Sequence, residues 1–232
     1  MKISVENSFI TDDSNECENG SFFVQTAANA KFAEAAVKNG AKIISLEECK
    51  KLLKIYESLK IVGITGTNGK TTTAAAIYET LRNLGKKCGL SGTRGAFIEG
   101  KQIDDKALTT SAILRTLSYL KAASEQGCEY FVMEVSSHAI AQKRIESLKF
   151  SLKIFTNLTQ DHLDYHKSME EYARVKSSFF DDDCMKLINA DDNGIKFNSK
   201  NAYTYSLKKP ASFAPVVYGL KDGIDAVIKT PN

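Results

Sequence analysis

Short apolar runs and helical patterns alternate along most of this chain. From Lys60 onward, residues 61–65, 88–91, 130–135, 152–156, 186–189 and 202–205 read as strands, and 70–84, 111–126 and 168–180 as helices between them. Continuous apolar strands separated by amphipathic helices predict a mostly parallel sheet covered on both faces. A smaller unit precedes it: a strand at 21–24, an Ala-rich helix over 27–39 ending at Gly40, a strand at 41–45 and a helix over 46–58. The stretch 215–229 alternates with period two and reads as a hairpin around Lys221-Asp222-Gly223. The expectation is an α/β chain, with a small N-terminal α/β domain over 1–58 followed by a sheet-and-helix domain over 59–232.

Composition narrows the function classes. Lys plus Arg number 31 and Asp plus Glu 28, a net charge of +3, and 43% of residues are hydrophobic. That is too apolar for disorder and lacks the basic footprint of a nucleic-acid binder. No run of about 20 apolar residues suggests a membrane span, and no apolar run follows the first lysine as in a secretory signal. Cys17, Cys49, Cys88, Cys128 and Cys184 are scattered without a C-x-x-C pair, which fits reduced thiols in a cytoplasmic protein.

The strongest local signal is IVGITGTNGKTT at 61–72. An apolar strand feeds a glycine-rich turn that opens a helix, and the backbone N–H groups and positive helix end of such a turn cradle phosphates. Lys70 would then reach the outer phosphates and the Thr71 hydroxyl would ligate Mg²⁺. Ile64 stands where the generic motif has its first glycine, and Gly63 and Gly66 flank it, so the loop is a variant.

Ligands in open α/β sheets gather beyond the carboxyl ends of strands, and two more ends here are polar. The run Tyr130–Met133 reads on into Glu134-Val135-Ser136-Ser137-His138. A carboxylate in a buried strand is unfavourable unless paired or metal-bound, so Glu134 is either a salt-bridged structural residue or a Mg²⁺ ligand beside the phosphates. Residues 154–156 read on into 157–166, where His162 is open to three readings: metal ligand, base or helix-start residue.

Ser168-Met169-Glu170-Glu171 has capping-box spacing. In the helix it opens, Lys176 lies within the apolar stripe of Met169, Tyr172, Ala173, Phe179 and Phe180. An inward lysine must be paired or lose its proton, and a neutral amine near Mg²⁺ captures CO₂ as a carbamate, an anionic metal ligand. The alternative is a stem that packs while its head reaches water.

Together these pieces resemble the Mur ligase family, most closely the MurE type. The matching blocks are GITGTNGKTTT, LTTS, MEVSSHAIAQKRI, NLTQDHLDYH and YARVKSSFF, in family order over residues 60–180. The resemblance implies an ATP-dependent ligase that adds the third amino acid (meso-diaminopimelate ahead of L-lysine) to UDP-N-acetylmuramoyl-L-alanyl-D-glutamate in peptidoglycan synthesis. It implies ATP contacts at Gly66, Thr67, Asn68, Gly69, Lys70, Thr71, Thr72 and Asn157. Mg²⁺ ligands would be Thr71, Glu134, His162 and a carbamylated Lys176, with Lys70, Glu134, His162 and Lys176 as the catalytic set. Thr109, Thr110, Ser136, Gln142 and Arg144 match contacts to the nucleotide-sugar dipeptide, with Arg144 offering a bidentate fork to an anionic group. Ser14, in Asp13-Ser14, matches a uridine-side contact. The family also suggests a monomer.

The sequence departs from the family at Asn15, where Arg is usual, at Leu108, where Asn is common, and at Ser111, where Pro often follows. Family members continue past the length seen here into a C-terminal amino-acid-binding domain, so the expectation is an incomplete central domain that binds ligands but does not complete ligation on its own. The competing readings are a sister ligase such as folylpolyglutamate synthase, a nucleotide-binding module without turnover, and an unrelated P-loop ATPase or kinase. The last leaves the EVSSH and DHLDYH blocks unexplained.

Overall fold

A computed structural model describes residues 1–105, 108–219, 221 and 225–231. The N-terminal unit is a four-stranded sheet, β1 (Lys2–Val5), β2 (Ser8–Thr11), β3 (Phe22–Val24) and β4 (Lys42–Ile44), in that order. The first two strands form an antiparallel hairpin and the others add in parallel. The hairpin was not among the expected strands, although Ile3 and Val5 alternate inward along β1.

The helix expected over 27–39 is much shorter: α1 spans Ala33–Lys38, after a 3₁₀ turn at Ala30–Phe32. The cause is Asn29. Its side chain accepts from Thr26 N–H at 2.7 Å and donates to Val24 O and Asp12 O, which diverts the preceding backbone from helix. Helix α2 (Leu46–Leu52) opens with the Ser45–Glu48 capping box. It stops before the expected residue 58, because Lys54 adopts φ +55°.

The larger sheet contains β5 (Lys60–Thr65), β6 (Cys88–Gly92), β7 (Gly95–Ile98), β8 (Lys101–Asp104), β9 (Tyr130–Glu134), β10 (Phe150–Phe155), β11 (Lys186–Asn189) and β12 (Ala202–Tyr205). Their order is β12-β11-β10-β5-β9-β6-β7-β8. Pairing is parallel from β12 to β6, as the apolar runs predicted. It turns antiparallel at β7 and β8, which were not foreseen.

Helices α3 (Lys70–Asn83), α4 (Ile113–Glu125), α5 (Ser137–Ala141), α6 (Leu163–His166) and α7 (Met169–Ser178) connect these strands. A final antiparallel pair, β13 (Ala214–Gly219) and β14 (Asp225–Lys229), forms the expected hairpin. Its expected turn includes Asp222 and Gly223, which lie outside the described residues.

One apolar cluster joins both sheets, from Ile3, Val24 and Leu53 through Leu59 and Ile61 to Leu117 and Phe131. The cysteines are unpaired. Among the described residues no helix is long and apolar enough to cross a membrane. Strand β5 lies between β9 and β10, so its carboxyl end faces theirs and three loops converge there.

Candidate functional site

The loop leaving β5 is held from outside by the β10 end. Thr67 N–H donates to Asn157 O at 2.8 Å, and Asn68 N–H donates to Asn157 Oδ1 at 2.9 Å. Thr156 Oγ1 donates to Asn68 O at 2.7 Å. Gly66 is required by close approach, since a Cβ there would overlap Thr156 Oγ1. Gly69 takes φ +82° at the start of α3. Asn68 and Thr72 are exposed, and Thr67 is buried with its hydroxyl bonded to Thr159 O and to Tyr172 Oη. Lys70 donates to Gly66 O and Thr67 O, each at 2.9 Å, and burial lowers its pKa.

At the neighbouring strand end, Glu134 is 2% exposed. Its carboxylate accepts from Thr71 Oγ1 at 2.9 Å, Thr93 N–H at 2.9 Å and Thr93 Oγ1 at 3.3 Å. These donors are neutral and Glu134 forms no direct salt bridge among the described residues, while the Lys70 charge lies near enough to interact with its carboxylate. An anionic group buried among neutral donors, with the phosphate-loop threonine on one oxygen, fits a divalent cation. Gly92 leaves room for the carboxylate itself, because a Cβ there would overlap Glu134 Oε1. Among the described residues no three His, Cys, Asp or Glu side chains gather as ligands, so a cation here would also need hydroxyl or ligand oxygens.

Lys176 is 1% exposed, so its head does not reach water. It donates to Gly66 O at 2.9 Å and to Thr65 Oγ1 at 3.4 Å, and lies over the Tyr172 ring at 4.8 Å. Burial first, and then the Lys70 charge, bring its pKa down to about 7. His162 adopts the left-handed conformation, φ +52°, just before α6. Its Nε2 is 3.3 Å from Asp161 Oδ2, and its ring stands edge-on to His138 at 4.9 Å.

The substrate-side residues split into two groups. Thr110 is buried, donates to Glu134 O at 2.9 Å and accepts from Ser136 N–H at 2.9 Å. Thr109 meets Thr93 Oγ1 at 3.1 Å. Arg144 donates through Nη1 to Thr110 O at 3.0 Å and through Nε to Gln142 Oε1 at 2.9 Å. All its acceptors there are neutral, leaving the guanidinium charge for an anion. Gln142 and Arg144 line a cleft of about 560 Å³ that also includes Asp12, Thr26, Asn29 and Ile113. Ser14 stands apart from this lining: it is buried, and its carbonyl accepts from Asn39 Nδ2.

Sequence reasoning missed Thr93, Tyr172 as a loop anchor, and the aromatic cluster of His138, Tyr165, His166 and Tyr172. Only the polar character of the EVSSH and DHLDYH blocks hinted at the last. Burial lowers the pKa of both His138 and His166.

The chain has known relatives in both sequence and fold. The Mur ligase middle domain family model matches residues 64–230. The UDP-N-acetylmuramoyl-L-alanyl-D-glutamate–2,6-diaminopimelate ligase of Wolinella succinogenes is 48% identical over 221 residues, 95% of this chain and 50% of that protein. A solved structure of a ligase of that name aligns with TM-score 0.74 at 27% identity, over 94% of this chain and 54% of the other. FolC of E. coli, in complex with DHPP and ADP, shares the fold at TM-score 0.58 and 16% identity, over 78% and 49%. The chain spans about half the length of the curated relatives it matches.

Proposed function

The chain belongs to the Mur ligase family, and from that premise we propose that it is the nucleotide-binding part of an ATP-dependent ligase. The ligase would add meso-diaminopimelate, ahead of L-lysine, to UDP-N-acetylmuramoyl-L-alanyl-D-glutamate. Residues 1–58 would serve the uridine side and 59–232 the ATP side. The observation that carries the reading is Glu134, a buried carboxylate with neutral partners, bonded to the threonine that follows the loop lysine. The naming of relatives as diaminopimelate ligases supports the choice of amino acid.

In the reaction the substrate carboxylate would take the γ-phosphoryl group of ATP to give an acyl phosphate and ADP. The incoming amine would then displace phosphate from the acyl carbon and form the amide. Phosphoryl transfer mainly requires positioning and charge neutralisation. The loop N–H groups and Lys70 would bind the phosphates, since a phosphate oxygen is a stronger acceptor for an ammonium than the loop carbonyls Lys70 now meets. Thr71 and Glu134 would hold one Mg²⁺, and His162, Glu134 and a carbamylated Lys176 a second, ions that when bound neutralise charge on the phosphate oxygens. Lys176 suits carbamate formation because its amine is enclosed and gives up its proton near neutral pH. Arg144, steadied by Gln142 and Thr110 O, would grip the anionic dipeptide.

The test is to incubate the chain with Mg²⁺–ATP, the UDP-muramoyl-dipeptide and diaminopimelate, and to assay ADP and tripeptide. Formation of both supports the ligase. Binding of ATP and of the dipeptide without either product fits the nucleotide-binding part of a ligase acting alone, ATP binding without dipeptide binding supports an unrelated nucleotide-binding module, and turnover only with a folate substrate moves the chain to the folylpolyglutamate branch.

A further inference from the structure

The sequence contains three histidines, His138, His162 and His166, and the chemistry above gives no role to the most buried one. His166 is 1% exposed and Ser137 is 2% exposed. His166 Nε2 lies 2.8 Å from Ser137 Oγ. A serine–histidine pair invites a nucleophile reading, but the enclosure of Ser137 keeps any substrate from its hydroxyl.

The position of His166 in the fold suggests a different role. Ser137 begins α5, directly after Ser136 and seven residues before Arg144, so its partner holds the segment that carries the dipeptide-side groups. On its other side the His166 ring packs against Tyr172, with centroids 5.0 Å apart. Tyr172 lies on α7 one turn before Lys176, and its hydroxyl bonds to Thr67 of the phosphate loop at 3.2 Å. The neighbouring Tyr165 adds a parallel link: its hydroxyl accepts from Gln142 Nε2 at 3.2 Å, and its ring packs on His138 at 4.2 Å.

We propose that His166 is a positioning residue. By bonding Ser137 and packing on Tyr172, it holds the segment bearing Ser136, Gln142 and Arg144 in register with α7 and the phosphate loop. What is held in register rests on the ligase reading, while the tie itself rests on the contacts above. Displacements of about 1 Å between reacting groups are enough to slow a positioned reaction by roughly 10²-fold, so such a tie sets how well the substrate carboxylate meets the nucleotide.

The experiment compares wild type, His166→Phe, Ser137→Ala, their double variant and His166→Gln in the full 232-residue chain. His166→Phe keeps an aromatic ring against Tyr172 and removes the nitrogen, whereas His166→Gln returns a polar atom near the Nε2 position. Three quantities are read: affinity for Mg²⁺–ADP, affinity for UDP-muramoyl-dipeptide with Mg²⁺–ADP present, and amide hydrogen exchange over residues 137–144.

The expected result for His166→Phe and for Ser137→Ala is ADP affinity within about twofold of wild type, exchange over 137–144 about tenfold faster, and dipeptide affinity about tenfold weaker. The double variant should be no worse than either single one, as for two halves of one interaction, and His166→Gln should recover most of the loss. Unchanged exchange, additive effects, or a parallel fall in ADP affinity would overturn the proposal. If His166→Phe does not fold, Ser137→Ala decides by the same readings. A wild-type chain that binds ADP but no dipeptide refutes the ligase reading, and the exchange data then decide the tie alone.

Discussion

Lys70 and Lys176 share one acceptor: both amines donate to Gly66 O at 2.9 Å. One comes from the first turn of α3 and the other from α7, separated by more than a hundred residues. Positive charge is thereby gathered where the loop leaves β5. The two amines are not equivalent. Lys176 is the more enclosed, and burial together with the Lys70 charge makes it the one that yields its proton near pH 7.

That difference predicts a pH dependence of stability. The folded pKa of Lys176, about 7, lies below the value of about 10.4 for a free lysine. Between these values the unfolded chain binds the extra proton. The contribution to stability is therefore fully present above about pH 10.4 and is lost as pH falls toward 7, at up to about 1.4 kcal/mol per pH unit. Lys176→Met should remove this slope. Urea unfolding at pH 7 and pH 9 should show wild type gaining on the variant, and parallel responses would contradict it.

In a turnover assay of a full-length ligase carrying this segment, Lys176→Ala should lose roughly 10²-fold or more in kcat, the scale of misplaced charge stabilisation. Short added carboxylates should restore part of the rate by standing in for the carbamate. A wild-type rate in the variant would end that role.

Lys70→Ala should weaken ATP and ADP binding by about 10- to 100-fold, the value of one or two charge-assisted hydrogen bonds. Calorimetric titration with each nucleotide is the direct check. An unchanged dissociation constant would mean that the phosphates sit elsewhere.

Glu134→Gln retains the shape of the side chain but not its charge. Nucleotide binding should lose its dependence on Mg²⁺, while the melting temperature should hold or rise, because a buried charge with neutral partners is itself unfavourable. Titrating Mg²⁺ into the nucleotide complex of each form tests this, and an identical Mg²⁺ response would remove Glu134 from the cation site.

Gly66→Ala should be among the most damaging single-methyl changes, by about 2–4 kcal/mol, because the new Cβ overlaps Thr156 Oγ1 in a packed loop. Chemical denaturation gives the loss directly. A change under about 1 kcal/mol would mean that the loop moves away more easily than its hydrogen bonds to Asn157 and Thr156 suggest.

Elements built on local periodicity were legible in the sequence. The six apolar runs after Lys60 became β5, β6, β9, β10, β11 and β12, and α7 starts at the serine whose capping signal announced it. Short hairpin strands were not legible: β7 and β8 turn at Glu99-Gly100, a two-residue signal easily lost between longer patterns. The truncation of the first helix was hidden too, because it depends on Asn29 reaching Asp12 O, 17 residues away.

The sequence by itself determined the strand–loop–helix around Lys70, the carboxylate at the end of an apolar strand and the placement of Lys176 on an apolar stripe. Each of these is a matter of spacing within one element. Whether the head of Lys176 reached water was decided only by tertiary structure, because that depends on the loop after β5 closing over it. Tertiary structure alone also gave Glu134 its neutral partners and brought Ser137 to His166. Those contacts span 63 residues for Thr71–Glu134 and 29 for Ser137–His166. Such contacts arise when parallel strands bring their carboxyl ends together, which no local pattern encodes.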